Sequence, residues 1–277
     1  MKIAVTAASG QLGSAIVRAL KKELAAEDII AIARTPEKAE DLEVSVRRGD
    51  YTDKNSFVEA LKGVDAVLIV SANGNPADRI QMHRNIIEAA KENGVKKVVY
   101  TSISGNFGPV VESNRQTEAD VRESGLDYAI GRNGIYIEPD VEYIDTYREL
   151  GKIVNSAGEG KTAYTTRDEL AYAYSRMLLE DKHNGQTYTL AGEAISQYEL
   201  CDYLNHAFDA NLYYEPMSVE DYNKDRTDEL GPFLGGVIAS IYASINRGDL
   251  DLDSDFEKAA GRPHISWEDY FQPNLHQ

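Results

Sequence analysis

The sequence predicts an α/β fold, a doubly wound parallel sheet with a smaller C-terminal α/β lobe. Three observations lead there. Short apolar runs alternate with segments of helical spacing from the first residues onward. The runs are continuous, as in Asp28–Ala33, which is the pattern of strands buried on both faces. A glycine-bearing loop, Thr6–Gly13, joins the first run to the first helical segment.

In chain order, Lys2–Thr6 reads as a strand, and Leu12–Leu24 as a helix with Leu12, Ile16, Leu20 and Leu24 on one face. Asp28–Ala33 is the second strand. Thr35 then Pro36 open a helix, an N-cap followed by proline at the first helical position. Val44–Arg48 is a strand, Asp53–Lys62 a helix, Ala66–Val70 a strand and Ala77–Asn93 a helix closed by Gly94. Lys97–Ser102 is a strand, Asn114–Ser124 a helix closed by Gly125, and Leu126–Gly131 a strand. This βαβα rhythm puts helices on both faces of a Rossmann-like sheet. After Arg132 the rhythm loosens. Pro139–Leu150 reads as helical, and Thr166–Glu169 as a capping box opening a helix to about Glu180. Gln186–Ala191 is a strand, and Ser196–Glu199 a capping box for a helix to about Phe208. Leu212–Glu215 is a short strand, Pro232–Asn246 a helix, and Ser254–Glu257 a capping box for Asp255–Ala260. The expected division is residues 1–192 as the sheet domain and 193–277 as a lobe packed on it.

Composition narrows the function. Of 277 residues, 29 are Lys or Arg and 46 are Asp or Glu, a net charge of −17. Such a chain repels nucleic acid and anionic membranes, so neither is an expected partner. A phosphate ligand must be held locally, by backbone N–H groups and a few placed arginines. One cysteine, Cys201, allows no internal disulfide, and five scattered histidines give no metal site. Asp249–Asp255 resembles the start of a calcium loop, but Ser254 and Ala260 replace the required glycine and glutamate. Without an apolar run of membrane-spanning length or a signal-peptide pattern, the expected location is the cytoplasm, as a monomer or homodimer.

The loop Thr6-Ala7-Ala8-Ser9-Gly10-Gln11-Leu12-Gly13 lies between a strand and a helix, where it would seat a dinucleotide pyrophosphate. Gly10 would let the backbone approach the phosphates, and Gly13 would let the helix pack on the sheet. The helix N-terminus offers free N–H groups and partial positive charge. Ala7 stands where the first glycine of such a loop is expected, and a positive φ there would cost on the order of 1 kcal/mol. At the end of the second strand, Arg34 replaces the acid that holds the ribose of NAD. A guanidinium pairs instead with a 2′-phosphate, so the expected cofactor is NADP(H), with Lys38 adding charge. Asp50 lies at the adenine edge, where it would accept from the adenine amino group or cap the following helix. Ser71 and Asn73 follow the fourth strand at the carboxyl edge of the sheet, where ligands bind.

These segments, with Val99–Ser102, Arg132–Tyr136 and Thr166–Leu170, resemble in order the NmrA-like branch of the atypical short-chain dehydrogenases. The nearest members by this resemblance are the NADPH-dependent quinone oxidoreductases of the second type and the triphenylmethane reductases. The resemblance implies that Gly10, Gln11, Leu12 and Gly13 form the pyrophosphate loop, and that Arg34 reads the 2′-phosphate. It implies that Ser71 and Asn73 line the ribose and nicotinamide side. Asn133, Ile135, Tyr136 and Glu138 would flank nicotinamide and substrate, with Arg167 facing the same cleft. The departures are Ala7 and Asn114, the latter where relatives often carry histidine.

The helix after the fifth strand reads Asn114-Arg115-Gln116-Thr117-Glu118 and lacks the Tyr-x-x-x-Lys pair of ordinary short-chain dehydrogenases. Quinones and delocalised cations accept hydride without such a pair, given stacking on the nicotinamide and exclusion of water. Tyr136 would offer a hydroxyl or serve in packing. Phe233, Ile238 and Tyr242 would form a flat aromatic substrate site or lobe core. The expected activity is hydride transfer from NADPH to a quinone or similar planar aromatic electrophile. The rival reading is a non-catalytic NADP(H)-sensing regulator.

Overall fold

The computed structural model describes residues 1–273. The first half runs β1 (Ile3–Val5), α1 (Gln11–Leu20), β2 (Ile29–Ala33), β3 (Ser45–Arg48), α2 (Lys54–Ala60), β4 (Ala66–Ile69), α3 (Pro76–Glu92), β5 (Lys97–Ile103), α4 (Pro109–Glu123) and β6 (Asp127–Asn133). Then come β7 (Ile135–Tyr136), α5 (Glu138–Glu142), α6 (Ile144–Leu150), β8 (Lys152–Asn155), β9 (Lys161–Thr165), α7 (Arg167–Leu179), β10 (Gln186–Leu190) and β11 (Ala194–Ser196). The chain continues through α8 (Gln197–Phe208), β12 (Tyr213–Pro216), α9 (Val219–Asn246), α10 (Phe256–Ala260) and α11 (Trp267–Tyr270).

Seven strands form one parallel sheet in the order β10-β6-β5-β4-β1-β2-β3. Strand order reverses at β1, which pairs with β2 on one side and β4 on the other. That reversal opens a crevice at the carboxyl ends of the strands, the ligand position of such sheets. Successive strand residues serve opposite faces. Ile3, Val5, Ile29, Ala31 and Leu68 pack with residues of α1, α7 and α10, whereas Ala4, Ile30, Ile32, Val67 and Ile69 pack with α2, α3 and α4. Burial on both faces is why these strands read as unbroken apolar runs.

The smaller layer consists of a three-stranded sheet, β11-β9-β7, and the β12-β8 pair. Each joins a strand from residues 135–165 to one from residues 194–216. The layer therefore draws on chain from both sides of residue 192.

Several local expectations change. Pro36–Leu42 is a 3-10 helix rather than an α-helix. The α4 helix begins at Pro109, after Gly108 at φ 90°, and not at Asn114. The stretch 139–150 is two helices broken at Tyr143. The helix expected from Pro232 to Asn246 is present, and a second helix precedes it from Val219, where the Ser218 side chain accepts from Asp221 N–H; Gly231, at φ 82° and ψ 163°, breaks α9 between the two. Pro232 has no N–H to continue the ladder, and Gly231 takes a conformation costly to other residues. The Ser196–Glu199 box is complete. The Thr166–Glu169 box is half made: Thr166 accepts from Glu169 N–H at 3.0 Å, but the Glu169 carboxylate binds Arg262 at 2.7 Å and the Ile265 N–H. Ser254 caps nothing beyond Phe256 N–H; its hydroxyl donates to Ala191 O and ties this segment to β10. Cys201 is buried, and burial pushes its thiol up to about 12, which fits a packing role.

One charged cluster fastens α4 to the sheet. Glu118 is fully buried and binds Arg132 at 2.7 Å, Arg115 at 2.6 Å, Arg122 at 3.1 Å and the Ser102 hydroxyl at 2.7 Å. Burial alone would raise its pKa. Hydrogen bonds from Arg132 and Ser102 and the charges of Arg115 and Arg132 overcome that and hold it at about 2. A depressed carboxyl stabilises the fold fully above its unfolded pKa and loses that contribution as pH falls through the folded value. Glu118→Gln is therefore expected to lower stability at pH 7 by about 2–3 kcal/mol. The gap from wild type should shrink between pH 4.5 and about pH 2. Urea unfolding from pH 7 to pH 3 measures it, and a pH-independent gap would contradict this assignment.

Candidate active site

The loop from β1 to α1 is held on both flanks. Thr6 N–H donates to Leu68 O and Ala8 N–H to Ile32 O, both at 3.0 Å. Ala7 has φ 48°, the left-handed conformation that glycine takes without cost. Its carbonyl turns inward and accepts from Gly10 N–H at 2.9 Å. A Cβ on Gly13 would lie 2.4 Å from that carbonyl oxygen, and one on Gly10 would lie 3.2 Å from it. Gly13 is thus required by the backbone crossing above it, and Gly10 by a milder version of the same contact.

Ser9, Gly10 and Gln11 are exposed, while Leu12 and Gly13 are buried. The α1 N-terminus has no side-chain cap and no acid in its first turn. Its leading N–H groups are therefore open to an anion. The Thr6 hydroxyl is not open. It accepts from Val70 N–H at 3.0 Å and meets Tyr51 Oη at 2.6 Å, while Tyr51 donates to Val70 O at 2.8 Å. Thr6 therefore serves the fold, linking β1, β4 and the turn after β3.

Arg34 follows β2 directly, is exposed, and makes no hydrogen bond or ion pair among the described residues. Asp50 stands beside it after β3. Its carboxylate accepts from Thr52 N–H at 3.0 Å and Thr52 Oγ1 at 2.8 Å. Those bonds chiefly, with Arg34 and Arg48 nearby, hold its pKa below the usual value. Asp53 and not Asp50 caps α2.

Ser71 is tied into a buried network. The Arg79 guanidinium, 5% exposed, donates to Ala72 O, Ser71 Oγ, Ser113 Oγ and Asn114 Oδ1 at 2.5–3.0 Å. Ser71 Oγ donates to Asn114 Oδ1 at 3.2 Å, so its hydroxyl is occupied, whereas Asn73 is exposed. His83 Nε2 accepts from Ala72 N–H, which leaves Nδ1–H to donate to Thr117 Oγ1. Burial, with the Arg79 charge, pushes His83 down to about 3 and keeps it neutral.

At the end of β6, Asn133, Tyr136, Glu138 and Arg167 come together. Asn133 Nδ2 donates to Tyr136 Oη at 3.1 Å, and Tyr174 donates to Asn133 Oδ1 at 2.6 Å. The Arg167 guanidinium lies 5.6 Å from the Tyr136 ring centroid, and Arg167 N–H donates to Glu138 Oε1 at 2.6 Å. Glu138 Oε2 is buried without a hydrogen-bond partner, and burial raises this carboxyl above the usual range. Ile135 packs beside Phe107, and Phe107 lines a separate apolar groove of about 430 Å³. Phe233, 56% exposed, stands on that groove's opposite wall with Pro232 and Val237. Of Phe233, Ile238 and Tyr242, Phe233 faces the groove, whereas Tyr242 packs against the core around Ile245 and Leu250.

Sequence reasoning missed Arg79, His83 and Tyr174. Arg79 and His83 share the α3 face of Ile86, Ile87 and Ala90, and polar residues on an apolar stripe are the readable signal. Tyr174 sits on the Leu170–Leu178 stripe of α7 and reads only as core. Asp140 was also missed: it is buried, accepts from Tyr147 Oη at 2.8 Å, and burial lifts it to about 6.

The loop geometry gives a paired expectation. Ala7→Gly should raise stability by up to about 1 kcal/mol by removing the left-handed strain. Gly13→Ala should lower it by about 1–3 kcal/mol, because the methyl meets backbone rather than a flexible side chain. Urea midpoints at unchanged slope measure both, and a stabilising Gly13→Ala would show that the crossing is not tight.

The likeness to known proteins runs nearly end to end. Quinone oxidoreductase 2 of Escherichia coli strain K12 is 33% identical over 270 residues, with 94% of each chain covered. Among solved structures, the E. coli NADPH-dependent quinone oxidoreductase complexed with NADPH superposes with a TM-score of 0.90 at 32% identity, covering 97% of this chain and 98% of that one. The Citrobacter sp. triphenylmethane reductase complexed with NADP(H) gives 0.91 at 31% identity, covering 99% and 100%. The family model described as NAD(P)H-binding matches residues 7–181, which span the open loop, Arg34 and the sheet edge. With that match and those relatives, the chain belongs to the NAD(P)H-binding family.

Proposed function

We propose that the protein is an NADPH-dependent oxidoreductase that passes a hydride to quinones or similar planar electrophiles. The observation that carries the cofactor choice is Arg34, exposed and unpaired among the described residues at the end of β2. There a guanidinium fits a 2′-phosphate and no acid competes for the ribose. The uncapped α1 N-terminus and the bare Gly10 backbone fit the pyrophosphate. In this reading Ser9, Gln11 and Leu12 border the phosphates. Asp50 borders the adenine, and Asn73 the ribose, while Ser71 shapes that wall through Arg79. Bound in this crevice, the cofactor supplies the hydride.

The chain's own residues then bind, orient and exclude water. Tyr136, Ile135 and Glu138 form the wall beside the acceptor, and Arg167 covers the Tyr136 ring. Phe233 and its groove offer apolar surface to the substrate. Residues 1–192 hold the cofactor in this reading, and 193–277 contribute the outer substrate wall. The relatives support reduction as the activity, since the curated ones include a quinone oxidoreductase and an NAD(P)H azoreductase of Xenophilus azovorans. The regulatory alternative is not favoured. The net charge of −17 supports a small-molecule partner over nucleic acid or membrane, and we place the protein in the cytoplasm as a monomer or homodimer.

Arg34→Glu tests the cofactor. It is expected to raise the KM for NADPH by about 10–100-fold while changing that for NADH by less than about threefold. Equal losses would show that Arg34 does not read the 2′-phosphate. Purified protein that binds NADPH yet never oxidises it against a panel of naphthoquinones, benzoquinones and triphenylmethane dyes would end the reductase reading.

A further inference from the structure

We infer that Tyr136 is the proton donor of this site, and that Asn133, Tyr174 and Arg167 position its hydroxyl and stabilise its conjugate base in place of the missing Tyr-x-x-x-Lys pair. The inference rests on the reductase reading and adds the route of the proton.

Tyr174 Oη lies 2.6 Å from Asn133 Oδ1 and 3.0 Å from Gly131 O. The Asn133 carboxamide presents its oxygen to Tyr174, whose hydroxyl donates to it at a normal O–H···O distance. Its Nδ2 therefore faces Tyr136 Oη, at 3.1 Å, and donates to it. Tyr136 accepts there, and its own hydroxyl hydrogen meets no acceptor among the described residues. The backbone sets this chain rigidly: Asn133 O accepts from both N–H and Oγ of Ser104, and Tyr174 is fully buried on α7. Asn133 is 4% exposed while Tyr136 is half-buried, so Tyr136 is the member of this chain nearest the surface.

Charges of both signs flank the ring, and the one lying over its face is positive. Arg167, at the start of α7, lies 5.6 Å from the ring centroid. Glu138, at the start of α5, is the opposing acid, and its Oε1 is held by Arg167 N–H. Burial raises the Tyr136 pKa above its usual value, the Asn133 bond and the Arg167 charge oppose that rise, and Glu138 adds to it. Tyr136 thus stays protonated at neutral pH, and the Asn133 N–H and the Arg167 guanidinium, which also pairs with Glu142 at 3.3 Å, face the phenolate when it forms.

Hydride arriving on a quinone leaves negative charge on an oxygen. The Tyr136 O–H bond breaks, an O–H bond forms on that oxygen, and hydroquinone results. The phenolate left behind accepts the Asn133 N–H bond and regains a proton from water. A triphenylmethane cation that takes hydride becomes neutral and needs no proton. The two acceptors therefore separate proton delivery from hydride transfer.

The test uses the full chain with NADPH, a naphthoquinone and a cationic triphenylmethane dye. Tyr136→Phe is expected to lower quinone kcat at least about tenfold. The loss on the dye should be smaller, so that the ratio of quinone kcat to dye kcat falls at least about fivefold. Tyr174→Phe, which keeps its ring in place, should show the same selectivity in weaker form. In the unliganded chain, the phenolate absorbance that Tyr136→Phe removes marks the Tyr136 titration. Asn133→Leu and Arg167→Gln should move that step to higher pH. An unmoved step overturns the proposal whatever the acceptors show, as does an equal loss on both acceptors or an unchanged quinone rate. Wild-type protein that binds NADPH and reduces neither acceptor overturns the reductase reading itself.

Discussion

The carbonyl of Ala7 crosses so close above α1 that the helix can carry nothing larger than hydrogen at Gly13. A side-chain carbon there would stand 2.4 Å from the Ala7 oxygen. Much of the site follows from that approach. It draws α1 under the end of β1, leaves the first helical N–H groups facing the crevice, and sets the register of the loop against β2 and β4 through Ala8 and Thr6. Ala7 meets the requirement with φ 48°, a conformation in which alanine is strained. A local cost is thus retained where an anion-binding turn is formed, as strained backbone often is at functional sites.

Electrostatics then act locally. In a chain of net charge −17, the long-range field opposes an anionic ligand. The opposing contributions are short-ranged: open N–H groups at one helix end and an unpaired guanidinium at the end of β2. Several other arginines are committed elsewhere. Arg79 spends its donors on carbonyls, hydroxyls and Asn114, and among the described residues no carboxylate pairs with it. Its function is to clamp the segment after β4 to α4, which fixes one wall of the crevice. Arg115, Arg122 and Arg132 are drawn to Glu118. Arg34, like Arg48 next to it across the β2–β3 pair, has no hydrogen bond or ion pair among the described residues.

The far end of the sheet edge is arranged by neutral hydrogen bonds. Asn133 terminates β6 and is gripped by Ser104 and Tyr174, so the short link to β7 delivers Tyr136 in one orientation. In the smaller layer, strands from before and after β10 interleave. The wall that carries Tyr136 is therefore built from the same sheet as the C-terminal chain, and the two halves cannot move independently without breaking that pairing.

Patterns that repeat along the chain were legible without coordinates. The alternation of apolar runs and helical stripes determined the parallel sheet, because burial on both faces leaves a continuous run and burial on one helix face leaves a stripe. The glycines of the loop and Arg34 were readable because their places are set by offset from the first two strands. Other features depended on residues distant in sequence. The sign of φ at Ala7 was an open question that packing of β2 and β4 around the loop answered. The sequence did not show that Arg79 and Tyr51, brought in by other elements, would engage the hydroxyls of Ser71 and Thr6. Glu169 looked like a capping partner until Arg262 drew its carboxylate away. Tyr174 looked like core until folding set it 2.6 Å from Asn133. Local sequence determined where backbone groups would lie, since spacing and chirality act over a few residues. Which polar atoms remain free for a ligand was decided by tertiary structure alone, because each hydroxyl, amide and guanidinium is claimed by whichever partner the fold brings within about 3 Å.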